Sequence, residues 1–200
     1  MKYVKKYILI IVLFHISINL VFANDQTYVI GIGVGGASYK EKPEFFYDSE
    51  KITKGGNINF EWYLFNSIGL GLKTVSLQSP DEIYFKDGKQ VTYQPLAINS
   101  NLITINWIIS GEKDYSRFGL TFGAGNSELT KMAYDGVGYS SSGSAASLGI
   151  FFDWGADGFG ARLGYDSVSN SFGEFKSGSR NVKNITGTGG LGYFGLRWAF

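Results

Sequence analysis

The sequence predicts an all-β fold, an eight-stranded antiparallel up-and-down transmembrane β-barrel behind an N-terminal signal peptide. Three observations predict it. Apolar residues alternate with small or polar ones in eight segments. The connections between those segments are alternately short and long. Large aromatic residues gather on one rim, closing the even-numbered segments and opening most of the odd-numbered ones. Composition agrees: the 200 residues include 28 Gly, 3 Pro and no Cys, and aromatics make up 16%. Gly is about twice its average usage of about 7%. Together with the aromatics, this favours packed strands with close backbone approach over helices.

The N-terminus reads as an address. Lys2, Lys5 and Lys6 precede a mostly apolar run from Tyr7 to Leu20, interrupted by His15, Ser17 and Asn19. Val21-Phe22-Ala23 then forms a cleavage site before Asn24. The run is shorter than the about 20 residues a spanning helix needs. The expected organisation is a signal peptide over 1–23 and a barrel over 24–200. Setting the three lysines aside leaves 15 basic against 17 acidic residues, a mature charge of −2. No basic stripe remains, so nucleic acid is not an expected partner. His15 is the only histidine. A mature chain with neither His nor Cys lacks the commonest general base and the commonest metal ligands. No catalytic, cofactor-binding or metal-binding residue is therefore expected.

The strands follow in order. Tyr28, Ile30, Ile32 and Val34 share one face, with Val29, Gly31, Gly33 and Gly35 on the other. Ile58, Phe60, Trp62 and Leu64 alternate with Asn57, Asn59, Glu61, Tyr63 and Phe65. Ile68, Leu70 and Leu72 alternate with Gly69, Gly71 and Lys73. Ile103, Ile105, Trp107 and Ile109 form the next apolar face, then Phe118, Leu120, Phe122 and Ala124. Leu148, Ile150, Phe152 and Trp154 oppose Gly149, Phe151 and Asp153. Phe159, Ala161, Leu163 and Tyr165 oppose Gly160, Arg162, Gly164 and Asp166. Phe194, Leu196, Trp198 and Phe200 oppose Tyr193, Gly195, Arg197 and Ala199.

Connections near 66, 112 and 156 are short. Those at roughly 38–55, 76–92, 126–146 and 167–188 are polar and read as long loops. Asp87-Gly88 in the second of these reads as a type I′ hairpin tip that extends the wall. Leu96 and Ile98 have the opposite parity from Ile103 and Ile105. That mismatch predicts a β-bulge within 99–101.

Alternation alone fits a soluble lipocalin-like barrel as well. The aromatics favour the membrane version. Tyr28, Trp62, Trp107, Phe118, Trp154, Phe159 and Trp198 all sit on the apolar face near one rim, as an interfacial girdle would. The other face is mostly Gly with isolated charges, which suits a narrow lumen. Glu61, Lys73, Asp153, Arg162 and Arg197 are expected to form a luminal charge network. With a turn near 66–68, Glu61 would face Lys73 and Asp153 would lie diagonal to Arg162. Arg197 would reach toward Glu61.

The stretch Asn59-Phe60-Glu61-Trp62-Tyr63-Leu64-Phe65-Asn66-Ser67-Ile68-Gly69-Leu70 resembles a strand–turn–strand unit of outer membrane protein A and related surface-antigen barrels. The ending Gly192-Tyr193-Phe194-Gly195-Leu196-Arg197-Trp198-Ala199-Phe200 is similar to their last strand. The resemblance implies residence in the bacterial outer membrane, among lipid and lipopolysaccharide. It implies an assembly signal in Leu196, Trp198 and Phe200 that the barrel assembly machinery reads. It brings no periplasmic peptidoglycan-binding domain. Within this class some barrels bind host surfaces, some pass small apolar molecules in a porin-like way, and some modify lipid A. The last use His with Ser, and no mature His matches them.

Structural or surface-interaction work by the long extracellular loops is the preferred reading. Passage of small apolar solutes is the alternative, and its discriminator is an unplugged lumen. Phe45, Phe46 and Tyr47 in the first loop are contact candidates, as apolar residues where exposure is expected. Lys176, Arg180 and Lys183 in the last are candidates for the phosphates of lipopolysaccharide. Two other motifs carry nothing. Gly31, Gly33 and Gly36 fit a dinucleotide-binding glycine pattern, but a loop follows where a helix is required. Asn184-Ile185-Thr186 is a glycosylation sequon without an expected use in this envelope.

Overall fold

A computed structural model of the chain describes residues 27–42, 51–64, 67–93, 95–112, 116–132, 138–155, 158–177 and 180–200. The leader and Phe45, Phe46 and Tyr47 lie outside the described residues. The described residues form ten strands in chain order. They are β1 (Thr27–Lys42), β2 (Lys54–Tyr63), β3 (Ile68–Gln78), β4 (Glu82–Lys86), β5 (Lys89–Tyr93), β6 (Leu96–Glu112), β7 (Ser116–Met132), β8 (Gly138–Trp154), β9 (Phe159–Ser177) and β10 (Arg180–Ala199). Eight of them close into one antiparallel barrel in the order β1-β10-β9-β8-β7-β6-β3-β2. Strands β4 and β5 form a separate two-stranded sheet.

The barrel closes where β1 meets β10, from Val29 opposite Ala199 to Lys42 opposite Thr186. Phe200 completes the seam. Its N–H donates to the Tyr28 carbonyl at 3.0 Å, and the Tyr28 N–H donates to the Phe200 carbonyl at 2.9 Å. Closure leaves no free strand edge, the condition for strands to cross lipid.

Two regions expected as long loops are mostly strand. β7 and β8 run through much of 126–146, and β9 and β10 through most of 167–188. Ser, Thr and Gly there suggested loops, yet the alternation continues with its phase inverted. Leu129, Ala145, Val168, Phe172 and Ile185 point into the barrel, while Glu128, Ser144, Ser169, Ser171 and Thr186 point out. The hairpin tip at Asp87-Gly88 forms, with φ of 52° and 74°. It caps β4–β5 and does not extend the hydrogen-bonded wall.

The same inversion corrects the expected bulge. β6 pairs without interruption with β3 and β7 through 99–101. Ile98 is 0% exposed and Ile103 is 68% exposed on the same continuous strand. The change of parity is a change of environment: apolar side chains face out near one end of the barrel and in near the other. The true irregularity lies at Ile109, where the β6–β7 register shifts between Ile108 and Ser110. That places it beside the short 113–115 connection.

Candidate functional site: the filled lumen and the two-belted wall

The outer wall divides into two belts. Nearest the short turns it is apolar: Ile30, Ile32, Phe60, Leu72, Ile105, Phe122, Ile150, Leu163 and Leu196 are all exposed. The seven girdle aromatics lie on this outward face, at its turn-side end. Tyr28 pairs directly with Trp62, their rings stacked at 6.2 Å. Phe159 pairs with Trp198. Tyr28 also stacks on Phe200 at 5.8 Å, and Trp198 packs against Phe200 at 5.2 Å. Leu196 lies one outward position further along β10. Beyond the apolar belt, outward positions carry Thr74, Asn101, Asn126, Ser144, Ser169 and Thr188.

Inside, the turn-side half holds the charges, every one buried. Asp153 and Arg162 are direct cross-strand partners on β8 and β9. Arg162 donates from Nε to Asp153 Oδ1 at 2.6 Å and from Nη2 to Oδ2 at 3.0 Å. The same guanidinium bonds both oxygens of Glu61, through Nη1 to Oε1 and through Nη2 to Oε2 at 3.1 Å. Asn59 Nδ2 and the Tyr63 hydroxyl donate to Glu61 as well, at 2.7 and 2.9 Å. Arg162 lies 4.3 Å from the centre of the Phe151 ring, an added cation–π contact.

The expected Glu61–Lys73 pair does not form. The β2–β3 register sets Glu61 opposite Gly71 and Asn59 opposite Lys73, two residues away from the expected pairing. Tyr63 falls over Gly69, where an added Cβ would meet the ring at 2.9 Å. Lys73 instead crosses the lumen to Asp166, with Nζ 2.7 Å from Oδ1 and 2.6 Å from Oδ2. Arg197 turns to Asp153 at 3.7 Å and to the Gly155 carbonyl at 2.9 Å, not to Glu61. Two members escaped the sequence reading. Asp166 was visible as an inward position. Arg117, one residue before the apolar run of β7, carries the parity that would have placed it inside; it donates to Asp153 Oδ2 at 3.2 Å.

Above the charges lies a layer of neutral polar groups. Asn170 Nδ2 donates to Ser127 Oγ at 2.8 Å and to Ser100 Oγ at 3.0 Å. The loop-side lumen is then apolar. Val75, Leu77, Leu96, Ile98, Leu129, Val168, Phe172, Ile185 and Leu191 form one buried cluster, with Tyr39 packed against it. Burial, with the Glu41 carboxylate near it, pushes the Tyr39 phenol above its ordinary range, so it brings no charge to this layer.

The basic loop candidates sit on a hairpin, not in a loop. Lys176 belongs to β9, and Arg180 and Lys183 to β10. Asn181 pairs with Lys176 and Lys183 with Glu174, so the three lie close along the hairpin's free end. The Lys183 side chain is exposed.

Solved structures with this architecture are barrels of bacterial outer membranes. Neisserial surface protein A matches with a TM-score of 0.59 and 12% identity, over 88% of this chain and 100% of that one. The chain has the fold of the small outer-membrane barrels. Ail, the attachment invasion locus protein of Yersinia pestis, shares that outer-membrane barrel fold in a complex with the heparin analogue sucrose octasulfate. It matches with a TM-score of 0.54 and 14% identity, over 88% of this chain and 99% of that one. At these identities the likeness is one of fold. No family model matches the sequence, and no curated protein does.

Proposed function

We propose that this chain is an integral outer-membrane barrel with a closed lumen, exported behind a signal peptide over 1–23. Its work is structural or a surface interaction at the loop-side rim. One observation carries the reading: the wall inverts. Apolar side chains face out over a belt that aromatics bound at its turn-side end, and face in beyond it, as a barrel needs when it leaves lipid for water. Most of the described inward residues of both halves are packed or paired, which supports a wall that presents a rim over one that conducts. Passage of small apolar solutes finds less support, because Val75, Leu129, Val168 and Ile185 fill the path. A non-enzymatic role agrees with the absence of His and Cys from 24–200.

At the rim, Lys176, Arg180 and Lys183 belong to the strands of one hairpin tip, a placement suited to phosphate or sulfate groups on a neighbouring surface. The complex of Ail with a heparin analogue supports testing that chemistry here. The expected results are fractionation with the outer membrane, no steady conductance in planar bilayers, and retention on immobilised heparin. Joint substitution of the three residues by alanine should abolish retention. Steady conductance would overturn the closed lumen, and unchanged retention would overturn the basic tip.

A further inference from the structure

The described lumen is not neutral. Its buried ionic side chains are Lys73, Arg117, Arg162 and Arg197 against Glu61, Asp153 and Asp166. Lys73 and Asp166 neutralise each other, which among the described residues leaves three guanidinium groups for two carboxylates at the turn-side end. All three converge on one atom. Asp153 Oδ2 lies 3.0 Å from Arg162, 3.2 Å from Arg117 and 3.7 Å from Arg197. Arg162 makes four hydrogen bonds to Glu61 and Asp153, and each of its nitrogens is partnered. The other two arginines are not fully partnered. Arg117 Nε has no hydrogen-bond partner, and neither Nε nor Nη1 of Arg197 has one, although Arg197 is only 2% exposed. Their nitrogens nearest Asp153 lie within about 7 Å of each other. The bond from Arg197 to the Gly155 carbonyl fixes this pair beside the β8–β9 turn.

We infer that Arg117 and Arg197 form an anion site at the turn-side mouth of the lumen, taking a small anion such as chloride or a simple carboxylate. A buried cation without a counter-charge is costly, and a buried N–H without an acceptor adds to that cost. One anion between the two arginines answers both. It supplies the negative charge that the described residues lack there and accepts from donors left without a hydrogen bond. The inference stands on the luminal geometry and is independent of the rim's role.

The test uses the whole barrel folded in detergent, with thermal unfolding followed by circular dichroism. Sodium gluconate, the bulkiest of the three anions, is replaced by sodium chloride or sodium formate at constant ionic strength. The expected result is a saturable rise in Tm of about 2–4 °C, the scale of one modest binding interaction in a chain of this size. Chloride and formate arms distinguish a halide site from a carboxylate site. Arg197→Gln should lose the rise, and Lys73→Gln should keep it. Equal Tm in all three salts overturns the site, as does a rise that survives Arg197→Gln. If Arg197→Gln does not fold, broadening of the chloride resonance by wild-type barrel replaces it. Broadening that saturates supports the site, and none beyond that caused by unfolded chain overturns it.

Discussion

Asp153 and Arg162 face each other across β8 and β9, and the carboxylate of Asp153 accepts from both Nε and Nη2 of that one guanidinium. Asp153 also receives Arg117 and lies near Arg197. Removing its charge leaves Arg117 and Arg197 without a carboxylate and Arg162 with Glu61 alone. Asp153→Asn should lower stability by about 3–5 kcal/mol, the usual cost of breaking a buried pair from one side. Urea unfolding in detergent measures it. A loss under about 1 kcal/mol would mean that lumen water solvates these groups separately.

Pairing partners predict a pattern of coupling. Lys73 and Asp166 should show a coupling energy of about 0.5–3 kcal/mol in a double-mutant cycle, as contacting residues do. Glu61 and Lys73, which do not touch, should be close to additive. The reverse pattern would mean that the β2–β3 register is the one with Glu61 opposite Lys73.

β6 tests the inversion of the wall on a single strand. Ile98→Ala should cost about 2–5 kcal/mol, because it empties a packed interior. Ile103→Arg should cost about 2–4 kcal/mol if that position meets the lipid midplane, and Asn101→Arg much less. Folding titrations into lipid vesicles separate the three. Equal costs for Ile103→Arg and Asn101→Arg would remove the apolar belt as a membrane contact.

The closing seam depends on Tyr28 and Phe200, joined by two backbone bonds and stacked rings. Phe200→Ser should lower the fraction of chain that migrates as folded barrel on an unheated gel. Leu148→Ser, an outward change away from the seam, should lower it less.

Strands β4 and β5 lie outside the barrel ladder, so their tip should be energetically separate. Gly88→Val strains a residue at φ 74°, a conformation that β-branched side chains rarely adopt. The hairpin should loosen while barrel Tm stays within about 2 °C, since distant sites act independently.

Much of this was determined by the sequence by itself. A strand turns successive side chains to opposite faces, so Tyr28, Ile30, Ile32 and Val34 had to share a surface, and Glu61, Arg162 and Arg197 the other. Eight such runs, with aromatics gathered on one rim, leave few folds besides a closed barrel. What lies inside and what lies outside was less legible beyond the first belt. Ile98 and Ile103 are equally apolar; parity puts them on opposite faces, but only the closed barrel shows that Ile98 is the one inside. Partner choice was decided by the tertiary structure alone. A shift of two residues preserves every side chain's face, so periodicity cannot tell Glu61 opposite Lys73 from Glu61 opposite Gly71. Closure then brings Lys73 to Asp166, 93 residues along the chain, and Arg162 to Glu61, 101 residues back. No local signal encodes those distances. They follow from the curvature that eight strands adopt when the first must meet the last.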